Sequence, residues 1–489
     1  MISDYSALFQ ALRPETSLVI GALLVLALDL SVFRRRTLGE RLRLARGFGL
    51  LAITAAMVHV VYSGPAGSVW GGALMFDTLA GVTRLGVLVL ALLTLGSLTP
   101  QPNRQNAAEG IALLLFATTG FLVMAVAQQL LLAFLALELA SLSLYVLAGF
   151  DKTRPESAEA ALKYFLFGGM AAAFLLFGFS LIYGLTGSIE LPRIAESLSN
   201  QGTSPLLGVA LVMVLAAFGF KAAAAPFHLW APDVYEGAPA SSAALIASAS
   251  KLAGFTLFYR LLWPGLGGAA GSNSVGGAPG WLWAVAVVSA ASMLVGNFAA
   301  LVQTSLRRLL AYSAIAHAGA LLLGVMAAGA SGPAPFFYYA FTYGLATVGA
   351  FGVIAAIEHA GPCDKITDLA GLSRRSPLLA GCLAVFVLSL AGIPPLAGFF
   401  GKFVVFAAAL QLGGLSGPAG WLTMLAIGLS AVALYYYLIV LKQAWVVGPA
   451  PGAAGIRTPF VAQAALVLAA TLIIVLGLAP SLLLDLFPR

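Results

Sequence analysis

Charge is what this 489-residue chain has least of: Asp, Glu, Lys and Arg make up 9% of it, against 61% hydrophobic residues and a mean hydropathy of +0.99. That balance excludes a soluble core and belongs to an all-α protein that crosses a membrane many times. Metal ligands are equally scarce. Cys363 and Cys382 show no metal-ligand spacing, and His59, His228, His317 and His359 are the only imidazoles. Zinc, haem and iron–sulfur sites therefore lack ligands, and no redox cofactor or metal is expected in the chain. Nucleotide fingerprints are missing too, and the 54 glycines are scattered as in close helix packing. No serine, histidine and acid arrangement asks to be a hydrolase, and Asp233 and Glu236 in PDVYEGAP read as loop-shaping residues.

What is present is a series of about fourteen apolar runs, the first at about 17–33 and the last at about 460–484. The first is preceded by Asp4, Arg13 and Glu15 and followed by RRRTLGERLRLAR, so it reads as a retained span rather than a cleavable signal. The formal charge of +7 could suggest an acidic partner such as nucleic acid, but it is loop charge. Placing Arg34, Arg35, Arg36, Arg41, Arg43 and Arg46 in the cytoplasm puts sixteen basic residues there, Arg104 among them, against Arg13, Arg193 and Arg489 outside. Both termini then face outward.

Six basic residues remain inside proposed spans: Arg84, Lys163, Lys221, Lys251, Arg260 and Lys402. Counted from the turn at Pro232 to Pro239, Lys221 and Lys251 lie ~15–18 Å deep in the runs at about 206–230 and 239–264. In a hydrocarbon core ~30 Å thick that is the midplane. Glu138, about ten residues from each end of the run at 128–149, sits at the same depth, and so does Lys402. An ionised group there needs water or a partner and usually marks a proton or ion path. A carboxylate beside a lysine stays ionised, which pairs Glu138 with Lys221. His228 and His317 are candidate auxiliary proton carriers. The bland reading of the same residues is buried structural ion pairing or snorkelling, and mid-span depth disfavours snorkelling. For Arg84 and Arg260 structural pairing and function stay equally open, while Asp77, Glu358, His59 and His359 read as helix caps or interface residues.

The run at 377–411 would be ~52 Å long as one straight helix. Its middle, AGIPPLAGFFGKF, carries Pro394, Pro395, Gly392, Gly398 and Gly401, so a break is expected there, and Lys402 follows it. Lys221 stands just before Pro226 in the seventh run. Two interrupted spans in two halves point to an inverted repeat.

These residues carry a resemblance. GFKAAAAPFHLWAPDVYEGAPASSAALIASASKLAGF, LRRLLAYSAIAHAG and AGIPPLAGFFGKF resemble the antiporter-like subunits of NADH:quinone oxidoreductase, respiratory complex I, over nearly the whole chain. LELASLSLYVLAGFDKTRPESAEAALKYFLFGG and PDVYEGAP resemble the N type of that family rather than the L or M types. The resemblance implies about fourteen transmembrane helices: an N-terminal three-helix segment (1–107), two inverted five-helix repeats (108–264 and 280–445) with the seventh and twelfth helices broken, and a final helix (460–489). It implies a proton pump in which Glu138 and Lys221 are the coupled pair, Lys251 the central relay and Lys402 the outward-connecting lysine. NADH, FMN, iron–sulfur clusters and quinone are implied in partner subunits, namely the other membrane-arm and electron-transfer subunits, and the location implied is the bacterial plasma (inner) membrane. The alternatives are a sodium/proton antiporter subunit of the multi-subunit type and a structural membrane-arm subunit.

Overall fold

Pro155, Pro205, Pro377 and Pro418 each stand at the first position of a helix, where the missing N–H would have had no intrahelical partner anyway. They separate the apolar runs into the rods seen in the computed structural model, which describes residues 2–63, 67–98, 106–201, 204–272, 280–361, 363–412, 414–415, 417–449, 451 and 453–487. Arg104 and Arg489, which enter the charge asymmetry, lie outside the described residues.

In chain order, α1 (Ile2–Ala11), α2 (Arg13–Ser31) and α3 (Leu38–Ser63) are followed by a hairpin, β1 (Gly67–Val69) antiparallel to β2 (Leu74–Phe76) with Ser68 opposite Met75. Next come α4 (Thr78–Gly96), α5 (Ala107–Val126), α6 (Leu130–Ala148), α7 (Pro155–Thr186), α8 (Leu191–Gln201), α9 (Pro205–Ala222), α10 (Trp230–Gly237), α11 (Ala240–Ala247) and α12 (Ala249–Arg260). The second half holds α13 (Trp281–Leu301), α14 (Leu306–Ser331), α15 (Ala334–Glu358), α16 (Leu372–Arg375), α17 (Pro377–Ala391), α18 (Ala397–Gln411), α19 (Pro418–Trp445), α20 (Phe460–Leu478) and α21 (Ser481–Leu484). Among the described residues thirteen helices, α11 and α12 taken as one, are long and apolar enough to cross a membrane, and α17 and α18 are a shorter apolar pair.

The expected break in the run at 377–411 is there. Gly392 ends α17 in the left-handed region at φ 86°, its N–H bonded to Leu388 O, and the Gly398 N–H is taken by Ser389 Oγ at 3.1 Å. The seventh run breaks after Ala222, where the Ala225 N–H finds Ser292 Oγ at 2.8 Å. Side chains thus replace the lost helical partners at membrane depth. Two features differ from the sequence expectation. PDVYEGAP is not an open turn: it falls mostly within α10, whose Pro232 sits in the first turn, where no N–H is needed. The eighth run is also interrupted, at Ser248 (φ −119°, ψ −85°), whose hydroxyl turns back to Ala244 O at 2.6 Å; serine offers the backbone this local alternative.

Burial orders the bundle. α14 and α15 are almost wholly buried at its centre, as is the α11–α12 span, while α3, α7 and α19 are rim helices, two-thirds unburied. α13 and α14 approach closely: a Cβ on Gly319 would stand 2.7 Å from Ser289 O, the residue whose hydroxyl bonds Gly319 O at 2.7 Å. Small residues at such a crossing let backbones meet. At one end of the bundle an ion cluster ties α7, α10 and α14. Lys163 bonds Asp233 at 2.6 Å, and Arg308 bonds Asp233 at 2.8 Å and Glu236 at 2.9 Å. Arg307, 1% exposed, donates to Ala238 O at 2.6 Å and pairs with Glu358.

Gly319→Val is expected to destabilise the chain by ~1–3 kcal/mol through overpacking, read as a lower unfolding midpoint in detergent. A pH effect comes from the ion cluster. Burial acts to raise the Asp233 pKa, but the hydrogen bonds and charges of Lys163 and Arg308 outweigh it and hold it below the ordinary aspartate value. A depressed carboxylate stabilises above its unfolded pKa of ~3.9 and stops doing so as pH falls through the lower folded value. Stability should therefore fall from about pH 5 downward, and Asp233→Asn should flatten that fall in thermal unfolding.

Candidate functional site

Lys221 occupies the last turn of α9, where the helix dipole favours a cation, and is 5% exposed. Its ammonium stands 3.4 Å from Ser141 Oγ and 5.8 Å from the centre of the Phe121 ring. Ser141 lies on α6 three residues after Glu138, on the same helix face. The Glu138 carboxylate is near enough for its charge to act on Lys221, but the hydroxyl is what bonds the ammonium. One carboxylate oxygen, Glu138 Oε1, is buried without a hydrogen-bond partner. Among the described residues the expected pair is therefore not within ion-pairing distance, and Ser141, which bonds Lys221 instead, was readable only as the third residue along in LELAS.

Lys251 lies in the first turn of α12, directly after the Ser248 break, and is 3% exposed. It donates to Ala314 O of α14 at 2.6 Å, and the centre of the Tyr343 ring is 5.6 Å from its ammonium. Between Lys221 and Lys251 is a cavity of about 10 Å³ walled by Phe218, Gly254, Phe255 and Phe258. Such a space is at or below what one ordered water needs.

The Tyr343 ring also lies 4.9 Å from His317, so it sits between the histidine and Lys251. His317 is buried with both ring nitrogens engaged: Nδ1 with Tyr339 OH at 2.6 Å and Nε2 with Tyr437 OH at 3.2 Å. A neutral imidazole has one donor and one acceptor, so one phenol must donate to the ring and the other accept. Tyr437 OH is also bonded to Ser313 Oγ. Lys402 donates to Ala391 O at 3.0 Å and shares with Asn297, His317, Tyr339, Ser430 and Tyr436 a cavity of about 30 Å³, room for a water.

Five of the six expected side chains therefore form a contiguous series, Glu138, Lys221, Lys251, His317 and Lys402, across the two halves of the chain. His228 stands apart. It lies in the gap after α9 beside the exposed Leu229, with Nδ1 buried and unbonded, and among the described residues no hydrogen bond or ring contact joins it to the lysines.

Three of the four buried arginines behave differently, while the fourth, Arg46, donates to Leu98 O at 3.0 Å. Arg84 pairs with Glu15 at 2.7 Å, Arg260 with Asp77 at 2.5 Å, and Arg307 with Glu358. Among the described residues no carboxylate lies within ion-pairing distance of Lys221, Lys251 or Lys402, whose bonds go to a hydroxyl and two backbone carbonyls. Asp77 also caps α4, accepting from the Ala80 N–H at 2.7 Å.

Residues 127–433 match the family described as NADH:quinone oxidoreductase/Mrp antiporter, TM. The chain is 49% identical to NADH-quinone oxidoreductase subunit N 2 of Acidobacterium capsulatum, with 98% of each protein covered. It is similar, at 34% identity and a TM-score of 0.78, to a chain of respiratory complex I from Thermus thermophilus, covering 96% of this chain and 98% of that one. A chain of the Mrp complex from Dietzia sp. has a TM-score of 0.77 at 22% identity, with 96% of each covered, a likeness of fold alone. On the near-full-length match in sequence and the agreement in fold, this chain belongs to the NADH:quinone oxidoreductase/Mrp antiporter transmembrane family, together with the subunit N proteins of NADH-quinone oxidoreductase.

Proposed function

We propose that this chain is the N subunit of a bacterial NADH:quinone oxidoreductase and carries protons across the plasma membrane through Glu138, Lys221, Lys251, His317 and Lys402, beside other membrane-arm subunits. Electron transfer from NADH to quinone takes place in its partners. One observation carries this reading: Lys221, Lys251 and Lys402 lie inside the bundle with neutral partners and border shared cavities, whereas the buried Arg84, Arg260 and Arg307 are ion-paired and Arg46 is tied to Leu98 O. A counter-charge would hold the proton on the ammonium. An unmatched ammonium can hand on its proton, which arginine cannot.

Each transfer moves one proton from a donor N–H or O–H to the lone pair of the next group and leaves the donor one charge lower. Glu138 supplies the control. A carboxylate closing to ~4 Å from Lys221 at an effective dielectric of ~20 is worth about 4 kcal/mol, roughly a thousandfold in proton affinity. A shift of α6 against α9, imposed by a neighbouring subunit, would switch Lys221 between holding and releasing its proton. The proton then passes to Lys251, on past Tyr343 to His317, and through the wet cavity to Lys402. The breaks after Ala222 and Ala391, at matching places in 108–264 and 280–445, support two inverted repeats, and the loop charge supports termini on the outer side.

The likeness to the Mrp complex makes sodium/proton exchange the second reading. A sodium ion asks for several oxygen ligands away from competing cations, and this row offers three lysines against one carboxylate.

The first test is NADH-driven proton uptake in inverted membrane vesicles. Lys221→Ala should lower it at least ~10-fold while the complex still assembles; uptake at the wild-type ratio to quinone reduction would overturn the proposal. A finer test uses Gly254, where a Cβ would stand 3.3 Å from Lys221 Cγ at the dry gap. Gly254→Ala should slow proton uptake several-fold, whereas Gly81→Ala, with nothing within 4 Å of its Cβ, should leave it unchanged.

A further inference from the structure

Far from the lysine row, the first three helices and the hairpin enclose a cavity of about 590 Å³, a size typical of small-molecule sites. Its wall includes Gln10, Arg13, His59, Tyr62, Ser68 and Trp70, and none of its described lining residues is acidic. Arg13 is exposed, and among the described residues it has no carboxylate within ion-pairing distance. The wall therefore offers a guanidinium, three hydroxyls (Tyr62, Ser63 and Ser68), an amide, an imidazole and an indole, groups that can hold a phosphate ester.

Two further observations set what carries that phosphate. Below Arg13, at spacings of seven and eleven, α2 presents Ile20 and Leu24; below Tyr62, at spacings of four and eleven, α3 presents Val58 and Leu51. All four are about half exposed or more. They form two apolar stripes leading away from the cavity along neighbouring helices, the direction in which acyl chains run. In its wall Tyr62 and Trp70 are each at least half exposed, amphipathic rings of the kind found at headgroup level. Trp70 holds a positive φ of 57°, a strained conformation for a large side chain of the sort that persists at ligand clamps.

We infer that this cavity is a binding site for a phospholipid with an anionic headgroup, its phosphate on Arg13 and its tails along the Ile20–Leu24 and Leu51–Val58 stripes. The site is independent of the buried lysines.

The decisive experiment places the photo-reactive residue benzoylphenylalanine at position 62 (Tyr62→benzoylphenylalanine) in the assembled complex in native membranes. A crosslink to phospholipid, identified by mass spectrometry, is expected; a crosslink to another protein subunit would overturn the proposal. A second arm measures phosphatidylglycerol retained by the solubilised complex from mixed phosphatidylglycerol and phosphatidylcholine vesicles. Arg13→Ala should reduce retention at this site about fivefold and Arg13→Lys should keep it; equal retention in wild type and Arg13→Ala would sink the idea. Inorganic phosphate should displace little of the lipid, and complete displacement would mean a site for a free anion instead. Because Arg13 is exposed and has no carboxylate within ion-pairing distance among the described residues, these variants should leave the fold intact, which native gel assembly checks.

Discussion

An ammonium group buried among apolar helices must be stabilised by something, and the rest of this structure is arranged around how three of them are. A carboxylate would be the strongest partner, and the chain uses that solution for Arg84, Arg260 and Arg307. Lys221, Lys251 and Lys402 receive oxygen dipoles instead. A dipole lowers the desolvation penalty without locking the proton in place, as a full counter-charge would.

The breaks in the helices supply part of that arrangement. In an unbroken helix the Ala391 carbonyl would accept from the N–H four residues on; that residue is Pro395, which has none, so the oxygen is left for Lys402 at 3.0 Å. The same relation holds between Ala222 and Pro226, directly after Lys221. At Ala391 proline therefore does two things, ending the helix and freeing the carbonyl that Lys402 uses, whereas Lys221 bonds Ser141 Oγ. The interruption at Ser248 puts Lys251 into a helix's first turn, so each of the three lysines stands within about a turn or two of broken backbone.

That division between what is spelled in side chains and what is spelled in backbone explains how far the sequence could be read. The depth of the charges followed from counting residues, and the break at 392–396 from a run too long to be one helix with Pro394 and Pro395 in it. The Ser248 break has no proline or glycine to announce it, and α10 was hidden by a proline-bearing stretch that normally marks a turn. The partners were least legible. Ala314 and Ala391 act through carbonyls, which every residue has, and Ser141 and Tyr437 come from helices whose register against α9 and α14 only the packed structure gives. The family resemblance drew Glu138, Lys221, Lys251 and Lys402 into one set, but the paired arginines that set them apart became visible only in three dimensions.

The two cavities along the row differ in a way that matters for a pump. The space joining His317 and Lys402 holds polar groups from several helices and room for a water, so proton exchange there needs only hydrogen bonds to rearrange. The space joining Lys221 and Lys251 is lined by phenylalanine rings, with Phe218 and Phe258 stacked at 4.9 Å, and is at or below the size of one water. If every link were wet, protons would leak down their gradient and no energy could be stored. One dry link suffices to prevent that, and it must lie beside the group whose charge state is controlled. It does: Lys221 borders the dry gap on one side and the Ser141 and Glu138 face of α6 on the other. In the proposed relay, a change in the carboxylate's distance and a brief opening of the phenylalanine gap would be two movements of one side chain's surroundings, and their order would set the direction in which a proton travels.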